Sequence, residues 1–192
     1  NESGQVAGYF NDRYGNRAFL GDIRGWRVDL GDPLQNSIAY DLNNFGQVVG
    51  SLQTNGAPVA TLWSDSAPTA LGPLDGTYSA AYAVNDIGVI VGTSDFRYIS
   101  SRYRATLWTN GVRKDLGTLG GNNSFAVDIN SSGVIVGGAE NLIGTQRPVL
   151  WREGVIVDIG PTWGGGGYAA AINTKGDVVG WNSPVSSPNL RS

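Results

Sequence analysis

The chain repeats itself. The pattern Asn-x-x-Gly-x-(Val/Ile)-(Val/Ala)-Gly begins at residues 1, 43, 85, 130 and 173, at intervals of 42, 42, 45 and 43 residues. Further landmarks recur in the same frame. Ala18-Phe19-Leu20-Gly21 is matched by Ala60-Thr61-Leu62-Trp63, Ala105-Thr106-Leu107-Trp108 and Pro148-Val149-Leu150-Trp151. Asp29-Leu30-Gly31 is matched by Ala70-Leu71-Gly72, Asp115-Leu116-Gly117 and Asp158-Ile159-Gly160. A period of this length marks one supersecondary unit that cannot bury its apolar faces alone, so successive units must stack.

No unit contains a run long enough, at helical spacing, to form a helix. Short β-branched and aromatic runs are instead bounded by Gly, Asn, Asp and Pro, which reads as strands and turns. Each unit divides into four strands, a to d: the Ala-x-Asp-Leu segment, the Val-Val-Gly segment, the Ala-Thr-Leu-Trp segment, and the segment ending at Leu71 in copy two. The Asn-x-x-Gly link between a and b reads as a tight turn, Asn bonding its own backbone and Gly supplying positive φ. Scarce Lys and Glu, 2 and 3 residues in 192, argue against long exposed helices.

The expected fold is therefore all-β, a β-propeller of about 43-residue four-stranded repeats with four or five blades, because ring closure removes exposed edges. Residues 1–192 read as one repeat domain whose first and last copies are incomplete. Counting b, c and d, then three full units, then a and b gives seventeen strands. Grouped c-d-a-b, these make four blades and a spare strand. Small residues at Ala39, Ala81, Ala126 and Ala169, and at Gly8, Gly50, Gly92, Gly137 and Gly180, mark where the chain is crowded, and the aromatics at 63, 108 and 151 are expected to fill the space between units.

With neither His nor Cys, the chain has no ordinary zinc, haem or copper ligand set and no His- or Cys-based nucleophile, so neither metal nor cofactor is expected. Its 11 Arg are scattered and its net charge is -3, which argues against nucleic acid as partner. No stretch reaches the roughly 18 apolar residues of a membrane span, and no signal peptide is recognisable, although a removed leader leaves the same picture.

The units resemble the HAF repeat of extracellular bacterial proteins, whose pattern runs A-x-x-I-N-x-x-G-x-V-V-G, then H-A-F-L-W, then G-x-x-x-D-L-G-T-L-G-G. Asp115 to Gly121 reads Asp-Leu-Gly-Thr-Leu-Gly-Gly, and Asn130 to Gly137 matches the turn and strand b. The resemblance covers nearly the whole chain and implies an extracellular or cell-surface β-propeller, without supplying a chemistry. The sequence departs from it at the naming His, where Arg17, Val59, Arg104 and Arg147 stand.

Several residue sets are candidates for function. Asp29, Asp115 and Asp158 recur singly, too sparsely for calcium, and read as strand-end hydrogen-bonding groups. Arg17, Arg104 and Arg147 read as ion-pair partners of these aspartates, with a shared anion-binding surface as the alternative. The b-to-c link of copy three is rich in aromatic and basic residues, among them Arg97, Tyr98, Arg102 and Tyr103, and Tyr14 occupies the equivalent link of copy one. Trp163 stands beside the Gly164 to Gly167 run. Aromatic and Arg side chains on loops make binding patches, and these six are the candidate ligand-binding residues, for a glycan or surface polymer. Two alternatives remain: a structural protein that self-associates through exposed strand edges, and a glycoside-active enzyme, for which no pair among the 16 acidic residues can be singled out.

Overall fold

A computed structural model of the chain describes residues 1–31, 34–65, 67–96, 99–162 and 164–183. They form seventeen strands in five antiparallel sheets. The first holds β1 (Gln5–Asp12), β2 (Gly15–Asp22) and β3 (Arg27–Asp29). The second holds β4 (Ser37–Leu42), β5 (Val48–Thr54), β6 (Ala57–Ser64) and β7 (Ala67–Ala70). The third holds β8 (Ser79–Val84), β9 (Ile90–Phe96), β10 (Ile99–Thr109) and β11 (Val112–Asp115). The fourth holds β12 (Gly120–Ile129), β13 (Ile135–Asn141), β14 (Gln146–Arg152) and β15 (Val155–Asp158), and the fifth β16 (Gly167–Ile172) and β17 (Val178–Asn182).

Strand number and order follow the repeat, but the grouping c-d-a-b does not hold. Each sheet is a-b-c-d, and strand d of one unit and strand a of the next lie in different sheets. Link length explains this: in the second unit five residues join a to b and two join b to c, whereas eight lead from β7 to β8 and carry the chain across. The sheets pack in chain order, strand a of each lying on the sheet before it: β4 on β1 and β2, β8 on β4, β5 and β6, β12 on β8, β9 and β10, β16 on β12, β13 and β14. No substantial packing joins the first sheet to the fifth, so the series is not closed into a ring.

Three apolar clusters fill the spaces between sheets. Ala18 and Leu30 of the first unit meet Ala39, Val48 and Trp63 of the second. Val49 and Ala60 meet Ala81, Val84, Ile90 and Trp108. Ala83, Val91, Ala105 and Leu116 meet Ala126, Ile129, Ile135 and Trp151. Each Trp thus faces the preceding sheet, and two of them also hydrogen-bond to it: the indole of Trp108 donates to the Gly72 carbonyl at 2.9 Å and that of Trp151 to the Leu116 carbonyl at 2.8 Å. The buried Trp63 indole nitrogen has no partner among the described residues.

The recurrent glycines are crowded for a reason different from converging units. Every a–b pair carries a bulge after the small residue, so that Tyr40, Tyr82, Val127 and Ala170 are extra residues in their ladders. The bulge pushes a strand-a carbonyl toward strand b, where a Cβ on Gly50, Gly92 or Gly137 would collide with the carbonyl of Ile38, Ala80 or Phe125.

The turn asparagines hold the sheets in sequence. The Asn43 Oδ1 accepts from the backbone N–H groups of Phe45 and Gln47, closing its own turn. Its Nδ2 donates to the backbone carbonyl of Asn85, the same residue one unit later. Asn1 donates likewise to Asn43, Asn85 to Asn130 and Asn130 to Asn173, at 3.0 to 3.2 Å. Asp41 and Asp128 reach the same way, accepting from the N–H of Val84 and of Ile172. Burial is the main influence on the Asp41 carboxyl and raises its pKa, against the bond from Val84.

Truncating Trp108, 2% exposed and bonded to the preceding sheet, removes both transfer energy and packing. Trp108→Ala is expected to cost about 3–5 kcal/mol in urea denaturation, and a cost below about 1 kcal/mol would place the ring outside the core.

Candidate functional site

Ion pairing accounts for the recurrent arginines. Arg17 contacts Asp29 at 3.2 Å, Arg104 contacts Asp115 at 3.8 Å and Arg147 contacts Asp158 at 2.9 Å, each joining strand c to the end of strand d in its own sheet. Copy two has Val59 and Ala70 at these places, so both partners are missing together. The aspartates also bond at the strand end: Asp115 accepts from the Gly117 N–H and Asp158 from the Gly160 N–H, both at 2.8 Å. No group of three or more His, Cys, Asp or Glu side chains that could hold a metal ion occurs among the described residues.

The six sequence candidates do not come together as one described patch. Arg97, Tyr98 and Trp163 lie outside the described residues. Tyr14 sits at the tip of the β1–β2 hairpin, 52% exposed, with the Arg13 guanidinium 4.8 Å from its ring centre. Arg102 is half-buried in β10. Tyr103 alone borders a cavity, one of about 720 Å³ between the third, fourth and fifth sheets.

Five aromatic side chains line that cavity: Tyr78, Tyr82, Tyr103, Phe125 and Tyr168. They come from separate units and meet edge to face, Tyr78 on Tyr103 at 5.7 Å and Phe125 on Tyr168 at 5.5 Å. The row continues beyond the cavity, Tyr82 meeting Tyr40 at 5.2 Å and Tyr168 meeting Trp181 at 5.4 Å. Two of the wall residues, Tyr82 and Val127, are bulge residues, whose side chains the extra residue re-aims out of the regular alternation. Tyr103 owes its place to another irregularity: the β9–β10 ladder shifts register between Ile99 and Tyr103, in the elongated hairpin of the third unit.

The polar part of the wall is built around Glu140 of β13. Its Oε2 accepts from the backbone N–H groups of Asn122 and Asn123 at 3.1 and 3.0 Å, and its Oε1 from the Asn123 side-chain amide at 2.9 Å. The Asn123 Oδ1 in turn accepts from the Tyr103 N–H at 2.9 Å, so one amide ties the aromatic hairpin of the third sheet to the carboxylate of the fourth. Thr93, Ser124 and Gln146 complete the polar wall. Burial is the main cause that raises the Tyr82 phenol well above its ordinary value of 10.0, and its hydrogen bond with Tyr78 adds to it. The Tyr40 phenol is also raised, chiefly by burial.

Apart from Tyr103, the sequence did not single out these residues. Tyr78, Tyr82, Phe125 and Tyr168 fall within or beside strand a, where they read as ordinary strand aromatics. A recurrent serine in that strand is a signal that was present: Ser37, Ser79 and Ser124 occupy one register and accept from the N–H groups of Ala18, Ala60 and Ala105 in the preceding sheet, at 3.0, 2.9 and 3.0 Å.

Neither a protein-family model nor a curated protein matches the sequence. Among solved structures, the chain is similar to TolB from Acinetobacter baumannii, with a TM-score of 0.67 over 96% of this chain and 12% identity. It spans about half of that protein, 48% of its length. At this identity the likeness concerns the fold alone. No helix among the described residues is long and apolar enough to cross a membrane.

The raised phenols carry a pH dependence. Unfolded tyrosines ionise near pH 10.0 whereas folded Tyr82 and Tyr40 keep their protons, so the native state binds more protons above that pH and stability falls as pH rises. Urea midpoints measured between about pH 9 and 11 should drop more steeply for the unaltered protein than for Tyr82→Phe. Equal slopes would show that Tyr82 ionises freely in the folded chain.

Proposed function

We propose that this chain is part of an exported or surface-associated, HAF-like β-propeller protein and that it binds carbohydrate in the aromatic cavity between the third, fourth and fifth sheets. The observation that carries the reading is the lining: five rings beside one carboxylate and a few amide and hydroxyl groups, in about 720 Å³. Largely apolar walls with a small number of fixed polar groups are the usual make-up of a small-molecule site. A sugar presents both a C–H face that packs on aromatic rings and hydroxyls that bond to groups such as Gln146, Thr93 and the Tyr82 phenol, which is held protonated. The site moves from the hairpin patch formed by Tyr14, Arg97, Tyr98, Arg102 and Tyr103 to the inner wall, keeping Tyr103 as the shared residue.

Binding is favoured over glycoside hydrolysis because the usual hydrolytic site has two carboxyl groups flanking the scissile bond. Among the described wall residues Glu140 is the one carboxylate, and three hydrogen bonds already engage it.

Screening the protein on a glycan array and titrating a bound glycan by calorimetry tests this. Tyr103→Ala and Tyr168→Ala, each still folded, are expected to lose about tenfold or more in affinity through the missing ring contact. Recognition of no glycan by the unaltered protein, or undiminished affinity in both variants, would remove carbohydrate from this cavity.

A further inference from the structure

The walls of the aromatic cavity carry charge of one sign. Glu140 is the only charged side chain among the described wall residues, and its partners are neutral: two backbone N–H groups and the Asn123 amide. No cation pairs with it among the described residues. The nearest arginines in sequence are turned to other work. Arg104 and Arg147 follow the wall residues Tyr103 and Gln146 in their strands, so alternation sends them to the opposite face, where they meet Asp115 and Asp158. A carboxylate has about four acceptor positions, and the three bonds to Glu140 leave one on Oε1.

The aromatic groups add to the same field. The face of each ring is the negative end of a quadrupole, which attracts a cation within about 6 Å of the ring centre, more strongly where water is excluded. Rings drawn from three sheets and one unneutralised carboxylate make a site suited to a positively charged organic group and opposed to an anionic one.

Resting on the carbohydrate reading above, we infer that the ligand is a cationic amino sugar, its C–H face on the rings and its ammonium group between them and the Glu140 carboxylate. Uronic and sialic acids are excluded on this view, since their carboxylates would face Glu140 with no arginine or lysine on the described walls to offset the repulsion. The Asn123 amide is then a positioning group: bonded on one side to Tyr103 and on the other to Glu140, it fixes the carboxylate relative to the rings.

The test compares two oligosaccharides of equal length that differ only in N-acetylation. Glucosamine and N-acetylglucosamine oligomers are titrated into the unaltered protein by calorimetry, at a pH below the pKa of the free amine. The amine form is expected to bind about tenfold or more tightly, through charge-assisted hydrogen bonding and cation–π attraction. In Glu140→Gln the preference should shrink to near equality while the acetylated form is held as before. If that variant does not fold, raising salt to about 0.5 M on the unaltered protein serves instead, and should weaken the amine form selectively. Equal binding of the two oligomers, or a preference for the acetylated one, would overturn the cationic assignment and leave the carbohydrate reading standing. Binding of neither oligomer nor any other glycan would overturn both.

Discussion

One asparagine per unit does two jobs with one side chain, and the order of the sheets follows from it. Its Oδ1 closes the a–b turn, bonding the N–H four residues on, as Asn85 does with Val89. Its Nδ2 crosses to the carbonyl of the next unit's asparagine. Neither job is available to aspartate, which lacks the donor, or to serine, which lacks the reach. Each bond contributes only about 1 kcal/mol net, but leaving its buried donor unpaired costs more. The exposed side of the turns adds a parallel link, where Asn44 donates through its backbone N–H and side-chain amide to Asp86 and holds that carboxyl below its ordinary range.

Once the turns are fixed in series, strand a of each unit lies on the sheet before it. The serine of strand a bonds to the Ala N–H at the start of the preceding strand c, and the Trp of the same unit fills the gap beside it. The aromatic cavity is a consequence of this stacking rather than of any one sheet. Tyr78, Tyr82 and Tyr103 belong to the third sheet or the link into it, Phe125 and Glu140 to the fourth, and Tyr168 to the fifth. The bulge that makes Gly92 obligatory is also the one that turns Tyr82 toward the cavity, so a backbone requirement and a binding surface share a cause.

Much of the scaffold was legible in the sequence because each unit states the same local chemistry again. Strand number, the turn at each Asn-x-x-Gly, the inward tryptophans and the Arg–Asp pairs all come from residues close in sequence or in the same frame. The joint absence of Arg and Asp at Val59 and Ala70 could be read in the same way. The grouping of strands into sheets could not, because it depends on how the d-to-a link travels, and irregular links carry no period. The cavity was legible only at Tyr103. A bulge leaves no mark on apolar alternation, so the facing of Tyr82 and Val127 was hidden. The meeting of Asn123 with both Tyr103 and Glu140 depends on the relative placement of two sheets.

The central claim is that the turn asparagines couple neighbouring sheets and do not merely shape their own turns. Native-state hydrogen exchange on Asn85→Asp separates the two roles, because Asp keeps an acceptor for the Val89 N–H and loses the donor to Asn130. The account predicts faster exchange at Gly133 and Val134, whose N–H groups close the Asn130 turn of the following sheet. Unchanged protection at Gly133 and Val134, with any loss confined to residues 85 to 89, would contradict it.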